Sequence, residues 1–367
     1  MSRPGGVSGW RLRAMAPRRV RGFSLPSGDD EAAGTSTLTS WGTKFDDPAT
    51  AIPSTGTGSA FSPNGSYLAV AHSGSPYLSV YNWSAAGWGS KLANPASLPP
   101  SVGNCVAWSP AGDLIALGHN SSPFITVYQF SGGAIGAKLA DPATLPAAAV
   151  RDVAFSPDGA YLATGHGTSP FMSVYPITPT AFGAKLANPS TLPAGVGRGV
   201  AFSPDGAYLG VAHSTTPFVS VYAFSGGAIG AKVANPSTLP AEAGFSVAWS
   251  PDGTKIAVSH DTSPRIAVYR WSGGFGTKYD APASPPGAFT GAGVAWSPDS
   301  QNLVTCVDND TPFFHAWQWD RGFGTKWSGP ASPPGSGAIG KPSWSPAGTY
   351  LAVTFFGAPN AAVFTPA

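Results

Sequence analysis

The chain has 367 residues, of which 42% are hydrophobic and only 10% are charged, and its formal net charge is +2. Glycine (47 residues) and proline (38 residues) together make up almost a quarter of it. This composition excludes a highly charged disordered chain and favours a turn-rich, all-β protein. No apolar run reaches the length of a transmembrane helix. The two cysteines, Cys105 and Cys306, provide no disulfide framework, and we expect both to be free and buried.

The first 40 residues are strongly basic and lie outside the repeat that fills the rest of the chain. Residues 1–22 contain six arginines and no acidic residue, which leaves 14 basic and 18 acidic residues, a net charge of −4, in the remainder. We predict an N-terminal arm over residues 1–40 that anchors the protein to a partner protein; a solvated tail and a nucleic-acid-binding arm are the alternatives. Nucleic acid is the less expected ligand because the acidic body offers no basic stripe. The anchoring candidates are Trp10, Arg11, Arg13, Arg18, Arg19, Arg21 and Phe23.

A sequence repeat occupies residues 41–367, and its most regular part is a Ser-Pro step, which in three copies is followed by Asp-Gly. The steps recur every 47 residues, with one interval of 48. A fixed period of this size indicates stacked copies of one supersecondary unit. The seven steps begin at Ser62, Ser109, Ser156, Ser203, Ser250, Ser297 and Ser345.

Each repeat predicts four short antiparallel strands. In the third copy, alternating large and small residues predict a first strand, which ends at a Ser-Pro-Asp-Gly turn whose Gly159 takes the left-handed conformation. Alternation over Tyr161–His166 and Phe171–Tyr175 predicts the second and third strands. A Gly-x-Lys sequence at 183–185 predicts the fourth.

Seven such units predict an all-β fold, a seven-bladed β-propeller of four-stranded antiparallel blades over residues 41–367. The Gly-x-Lys strand also occurs seven times, but its first copy precedes the first Ser-Pro step and the last repeat has none. We therefore expect Trp41, Lys44 and Phe45 to pair with the last blade and close the ring. On these repeats the chain resembles the WD-repeat propellers, which close in the same manner, although Val-Tyr stands where those repeats carry Trp-Asp.

Two sets of repeated polar residues resemble catalytic or metal-binding sets. A histidine closes the second strand of five repeats, but equivalent positions on adjacent blades are too far apart to share one metal ion. We expect each imidazole to hydrogen-bond to the backbone or to a nearby Ser or Thr instead. The aspartates of the Ser-Pro-Asp-Gly turns are explained by turn formation, and identical environments do not supply an acid–base pair. We therefore expect no catalytic residue, metal or cofactor, and no enzyme activity. The two sets are His72, His119, His166, His213 and His260, and Asp158, Asp205, Asp252 and Asp299.

Most aromatic residues recur at fixed repeat positions, which is typical of core packing. A minority beside the Gly-rich turns are candidate platforms for stacking sugars. These are Trp88, Phe182, Phe275 and Phe323.

The repeats, which read NPSTLPAGxGxGVAFSPDGxYLAVAH, are similar to WD-like repeats of bacterial and phage proteins, including phage tail and other virion proteins. The resemblance implies a non-enzymatic structural or adhesive module on a virion or extracellular surface, such as a tail-fibre, tail-associated or capsid-decorating protein. The arm would bind other virion or assembly proteins, and the ring would contact a host-surface glycan or receptor. The alternatives are a lectin-like multivalent adhesin and an intracellular WD-type scaffold.

Overall fold

A computed structural model describes residues 38–287, 293–332, 337 and 340–367. The anchoring candidates from Trp10 to Phe23 lie outside the described residues. Within these residues every regular element is a β-strand, and the strands form seven four-stranded antiparallel sheets. The predicted seven-bladed propeller is therefore confirmed.

Each blade is ordered from an inner to an outer strand. The inner strands are β2 (Gly56–Phe61), β6 (Gly103–Trp108), β10 (Val150–Phe155), β14 (Gly197–Phe202), β18 (Gly244–Trp249), β22 (Val294–Trp296) and β26 (Ser343–Trp344). The second strands are β3 (Tyr67–His72), β7 (Leu114–His119), β11 (Tyr161–His166), β15 (Tyr208–His213), β19 (Lys255–His260), β23 (Asn302–Cys306) and β27 (Leu351–Thr354). The third strands are β4 (Leu78–Ser84), β8 (Ile125–Ser131), β12 (Met172–Thr178), β16 (Val219–Ser225), β20 (Ile266–Trp271), β24 (Phe314–Trp319) and β28 (Ala361–Pro366). The outer strands are β1 (Trp41–Lys44), β5 (Gly87–Lys91), β9 (Ala134–Lys138), β13 (Ala181–Phe182), β17 (Ala228–Lys232), β21 (Phe275–Lys278) and β25 (Phe323–Lys326).

The blades pack face to face around a ring of inner strands, in which β26 contacts both β22 and β2. The core lies between neighbouring blades: Leu78 and Val80 of the first blade pack with Ile115 and Leu117 of the second. This arrangement follows from the sequence, because a sheet with two apolar faces needs a neighbour on each side.

The N-terminal strand closes the ring as the sequence predicts. Strand β1 pairs antiparallel with β28, with Trp41 opposite Pro366 and Lys44 opposite Phe364. The amide of Phe45 donates to the carbonyl of Val363 at 3.0 Å. The last blade therefore receives its outer strand from the start of the propeller, which removes an open sheet edge.

The Ser-Pro-Asp-Gly turn has the predicted geometry. In the third blade Gly159 has a φ of 72°, in the left-handed region, and its amide donates to the carbonyl of Ser156 at 2.8 Å. The hydroxyl of Ser156 donates to Asp158 and accepts from the amide of Tyr161 at 2.9 Å. Hydrogen bonds from Ser156 and from the amide of Ala160 lower the pKa of Asp158. The repeated aspartates at this position are therefore turn formers.

Two predicted strand boundaries are wrong. The third strand of the third blade begins at Met172, because Phe171 belongs to the preceding turn with a φ of 67°. The fourth strand of this blade is only Ala181–Phe182 and ends before the Gly-x-Lys sequence at 183–185. Pro176 lies on the neighbouring strand, and proline has no amide hydrogen to donate to the ladder, which shortens the pairing.

Candidate functional site: the central channel

A central channel of about 750 Å³ runs between the inner strands and is lined by residues from all seven blades. Its polar lining differs from blade to blade, whereas most of the propeller repeats almost unchanged. A cavity of this size falls in the range of ligand and side-chain binding sites. We therefore take the channel as the candidate functional site.

A β-bulge in each of five inner strands provides the side chains of the channel wall. In the third blade, Val150 pairs with His166 and Asp152 with Gly165, so Arg151 is an extra residue between two ladder pairs. A bulge redirects the side chain of the extra residue, and all five of these residues line the cavity. The bulged residues are Thr57, Asn104, Arg151, Arg198 and Phe245.

Three cations and one carboxylate among the lining residues give the channel a positive charge. Arg151, Arg198 and Lys341 are the cations, and Asp152 is the carboxylate. The Asp152 carboxylate is almost completely buried and accepts from the amide of Val153 at 3.0 Å. It also accepts from the amide of Val200 at 3.0 Å and from Lys341 Nζ at 3.2 Å. The anion is thus held by groups from three blades, and Lys341 reaches it from the last blade.

Unlike Lys341, the two arginine side chains form no hydrogen bond or ion pair with the described residues. The guanidinium of Arg198 lies over the Phe245 ring, 4.3 Å from its centroid, a cation–π arrangement. Burial and the neighbouring charge of Arg151 lower the pKa of Arg198, although Asp261 opposes this shift. Arg151 is exposed and has no hydrogen bond or ion pair with the described residues. Both guanidinium groups can therefore donate hydrogen bonds to the same anion.

The channel site was not predicted from the sequence. Arg151 and Asp152 occupy the repeat positions of Thr57 and Gly58, and Lys341 occupies the position of Asp152 in the last repeat. The sequence does show charged residues at positions that carry small or neutral residues in other copies. Their side chains enter the channel because of the bulges, which are formed by pairing between strands.

The repeated histidines act in hydrogen bonds within single blades, as predicted. The Nε2 atoms of four imidazoles lie 3.0–3.1 Å from a hydroxyl seven residues later on the third strand. Burial lowers the pKa of all four, so each imidazole is neutral at pH 7. The pairs are His72 with Ser79, His119 with Thr126, His166 with Ser173, and His213 with Ser220.

The fifth and sixth blades depart from this pattern. His260 faces Ala267 where the other blades have Ser or Thr, and its ring nitrogens have no hydrogen-bond partner among the described residues. In the sixth blade Val307 takes the histidine position, and His315 takes the hydroxyl position and bonds to Asp310 at 2.8 Å.

Replacing Ala267 with serine should stabilise the protein by about 1 kcal/mol, because it supplies the missing partner of His260. Ser220→Ala should act in the opposite direction by about 1–3 kcal/mol, since it leaves the buried imidazole of His213 unpaired. Urea unfolding at pH 7 measures both changes. A destabilising effect of Ala267→Ser would contradict the assigned hydrogen bond.

The proposed sugar platforms contribute to blade packing. Trp88 is half-buried, with its ring centroid 5.1 Å from that of Tyr81 in an edge-on contact. Phe182 packs in the same way on Tyr175, at 5.7 Å. Phe275 and Phe323 are also half-buried, in edge-on contacts with rings of their own blades. These faces are therefore only partly available for stacking.

The remaining candidates are readily placed. Cys105 and Cys306 are free and buried, as predicted, and burial raises the pKa of both thiols. No cluster of three or more His, Cys, Asp or Glu suited to a metal ion occurs in the described part of the chain. Within the same residues, no helix has the length and apolarity that spanning a membrane requires.

The chain is similar to known β-propeller proteins in one sequence segment and in its fold. The profile of the family described as WD domain, G-beta repeat matches residues 142–169, which include β10 and β11 of the third blade. A comparison with curated proteins finds no match. Among solved structures, hydrazine synthase of Kuenenia stuttgartiensis is similar, with 15% identity and a TM-score of 0.67 over 89% of this chain and 97% of that chain. At this identity the likeness shows the fold alone. β-Propellers with WD40 repeats commonly mediate protein–protein interaction, and this chain has the propeller fold with one segment, residues 142–169, that matches the WD40 repeat model.

Proposed function

We propose that the protein is a non-enzymatic protein-interaction module, whose closed ring presents the central channel to one partner. The observation that carries the proposal is the channel wall, where Arg151, Arg198 and Lys341 place charge at repeat positions that are uncharged in most other copies. A unique charged surface at the centre of a ring of near-identical blades favours one binding event per ring. The rigid ring supports this use, because recognition by preformed surfaces avoids the entropic cost of ordering.

A more specific proposal is that the protein is a structural component of a virion, such as a tail-fibre, tail-associated or capsid-decorating protein. It is supported by the resemblance of the repeats to those of phage virion proteins and by the basic composition of residues 1–40. In this proposal the arm anchors the ring to another virion or assembly protein, and the ring faces outwards, at the virion or extracellular surface.

Neutralising the arm should abolish the anchoring. We expect the full chain to co-purify with assembled particles and the variant with Arg11, Arg13, Arg18, Arg19 and Arg21 changed to glutamine to remain in the soluble fraction. Charge-assisted contacts are the strongest polar contacts available to such a segment. Particle purification by density gradient, followed by quantitative blotting, measures the distribution.

The matched control changes two arginines of the ring that are exposed and distant in sequence from the arm, Arg270 and Arg321. This control variant should be incorporated like the unmodified protein. Incorporation of the arm variant at the unmodified level would show that the arm is not the anchor.

A further inference from the structure

The central channel is positively charged, whereas the rest of the propeller is acidic. Outside residues 1–22 the chain has a net charge of −4, whereas the charged side chains of the channel carry three positive charges and one negative charge. The negative charge is already neutralised by Lys341 and by two backbone amides. What remains available to a ligand is the pair Arg151 and Arg198.

These two arginines occupy the same bulge position on neighbouring inner strands, β10 and β14. Both side chains line one cavity, and the two strands are in contact. The aromatic ring of Phe245 holds the Arg198 guanidinium from one side, which limits its motion. Two planar guanidinium groups in one cavity match the oxygens of a carboxylate.

We propose that the channel binds an acidic segment of a partner protein by inserting a glutamate or aspartate side chain between Arg151 and Arg198. This rests on the proposed interaction function and names the chemistry of the partner. Nucleic acid fits less well, because a phosphate backbone needs an extended basic surface and the propeller body is acidic. The side chain of Asn104, on the neighbouring bulge, lies in the same wall beside the arginines.

Asn104 is already engaged, since its amide nitrogen donates to Asn120 at 2.7 Å and to the carbonyl of Val150 at 2.8 Å. These contacts fix one side of the cavity without using a charge. The selectivity for an anion therefore depends on the two arginines, and their replacement should remove it without disturbing the ladder, because bulged residues lie outside the paired register.

The test uses fluorescence anisotropy of the full-length protein with a short glycine–serine peptide that carries two adjacent glutamates. The same peptide with two glutamines is the neutral control. We expect binding of the glutamate peptide that weakens with added salt, and no binding of the glutamine peptide. Arg151→Gln and Arg198→Gln should each weaken binding by about tenfold, the effect of removing one charge-assisted hydrogen-bonding group.

The double variant Arg270→Gln/Arg321→Gln removes the same charge from exposed positions outside the channel. It should bind the glutamate peptide within about twofold of the unmodified protein, since screened surface charges contribute little. Equal weakening by this variant and by the channel double variant Arg151→Gln/Arg198→Gln, or equal affinity for the two peptides, would overturn the channel assignment. Thermal melting of every variant confirms that the ring is intact.

The peptide-binding and particle-incorporation measurements together distinguish failure of the channel assignment from failure of the proposed function. If the channel double variant Arg151→Gln/Arg198→Gln still joins particles and captures the same ring partner, the interaction function stands and the channel is not its site. If the glutamate peptide binds as expected but the full chain joins no assembly, the channel assignment stands and the virion proposal falls.

Discussion

Replacing Trp41 with alanine is expected to destabilise the propeller by about 3–5 kcal/mol, the cost of truncating a buried aromatic side chain. The Trp41 side chain is 6% exposed and lies in a core cluster that joins the sixth and last blades. Its ring centroid is 4.7 Å from that of Trp327 and 5.0 Å from that of Phe314. The substitution should therefore loosen the closure of the ring as well as create a cavity. Guanidinium unfolding and the melting temperature measure the loss.

Trp88 offers a matched control, because it holds the same repeat position on β5 of the first blade. It is half-buried, and its edge-on contacts are with Tyr81 and Trp83 of its own blade. Trp88→Ala should cost clearly less than Trp41→Ala, and Thr43→Ala, on the exposed side of β1, should change stability by no more than about 0.5 kcal/mol. Equal losses for the two tryptophans would mean that β1 does not hold the ring closed.

The closure by β1 could be predicted from the sequence because it depends on counting. Local signals fix the strands and turns, since alternation and the Ser-Pro-Asp-Gly residues act within a few positions. The sequence contains seven Ser-Pro steps and seven Gly-x-Lys sequences, and the first Gly-x-Lys precedes the first Ser-Pro step. The last blade is therefore the one that lacks an outer strand, and Trp41–Lys44 completes it. The hydrogen bonds of the histidines were predictable for a similar reason, because His213 and Ser220 recur at one spacing.

The channel was not predictable, because its parts meet only through the closed ring. Lys341 and Asp152 are 189 residues apart and belong to the last and third blades. The direction of the Arg151 side chain depends on a bulge in the pairing of β10 with β11, which periodicity does not encode. The exchange in the sixth blade, where His315 bonds to Asp310, likewise required the pairing of β23 with β24. Sequence patterns predict interactions between residues that are close in the chain, whereas these contacts depend on the register of strand pairing and on closure of the ring.

Acidification from pH 7 to about pH 5 is expected to unfold the propeller, because its buried histidines must then be protonated. Burial lowers the pKa of His72, His213, His260 and His315 to about 4 in the folded protein, against 6.5 when exposed. The unfolded chain therefore binds more protons between these values, so stability is complete above about pH 6.5 and is lost as the pH falls towards 4. Each buried imidazole contributes on the order of 2 kcal/mol of this loss between about pH 7 and pH 5. Four such groups together approach the whole stability of an ordinary domain, about 5–15 kcal/mol.

His260→Phe isolates one of these contributions. The last blade carries Phe355 at the histidine position, with Ala362 in place of the serine, and His260 already faces Ala267. Phenylalanine should therefore be accommodated, and the variant should lose about 2 kcal/mol less stability than the unmodified protein between pH 7 and pH 5. Urea unfolding at a series of pH values measures the two slopes, with Thr43→Ala, at an exposed position without an ionisable group, as the control that should leave the slope unchanged. Parallel slopes for His260→Phe and the unmodified protein would show that the His260 imidazole is not held neutral in the fold.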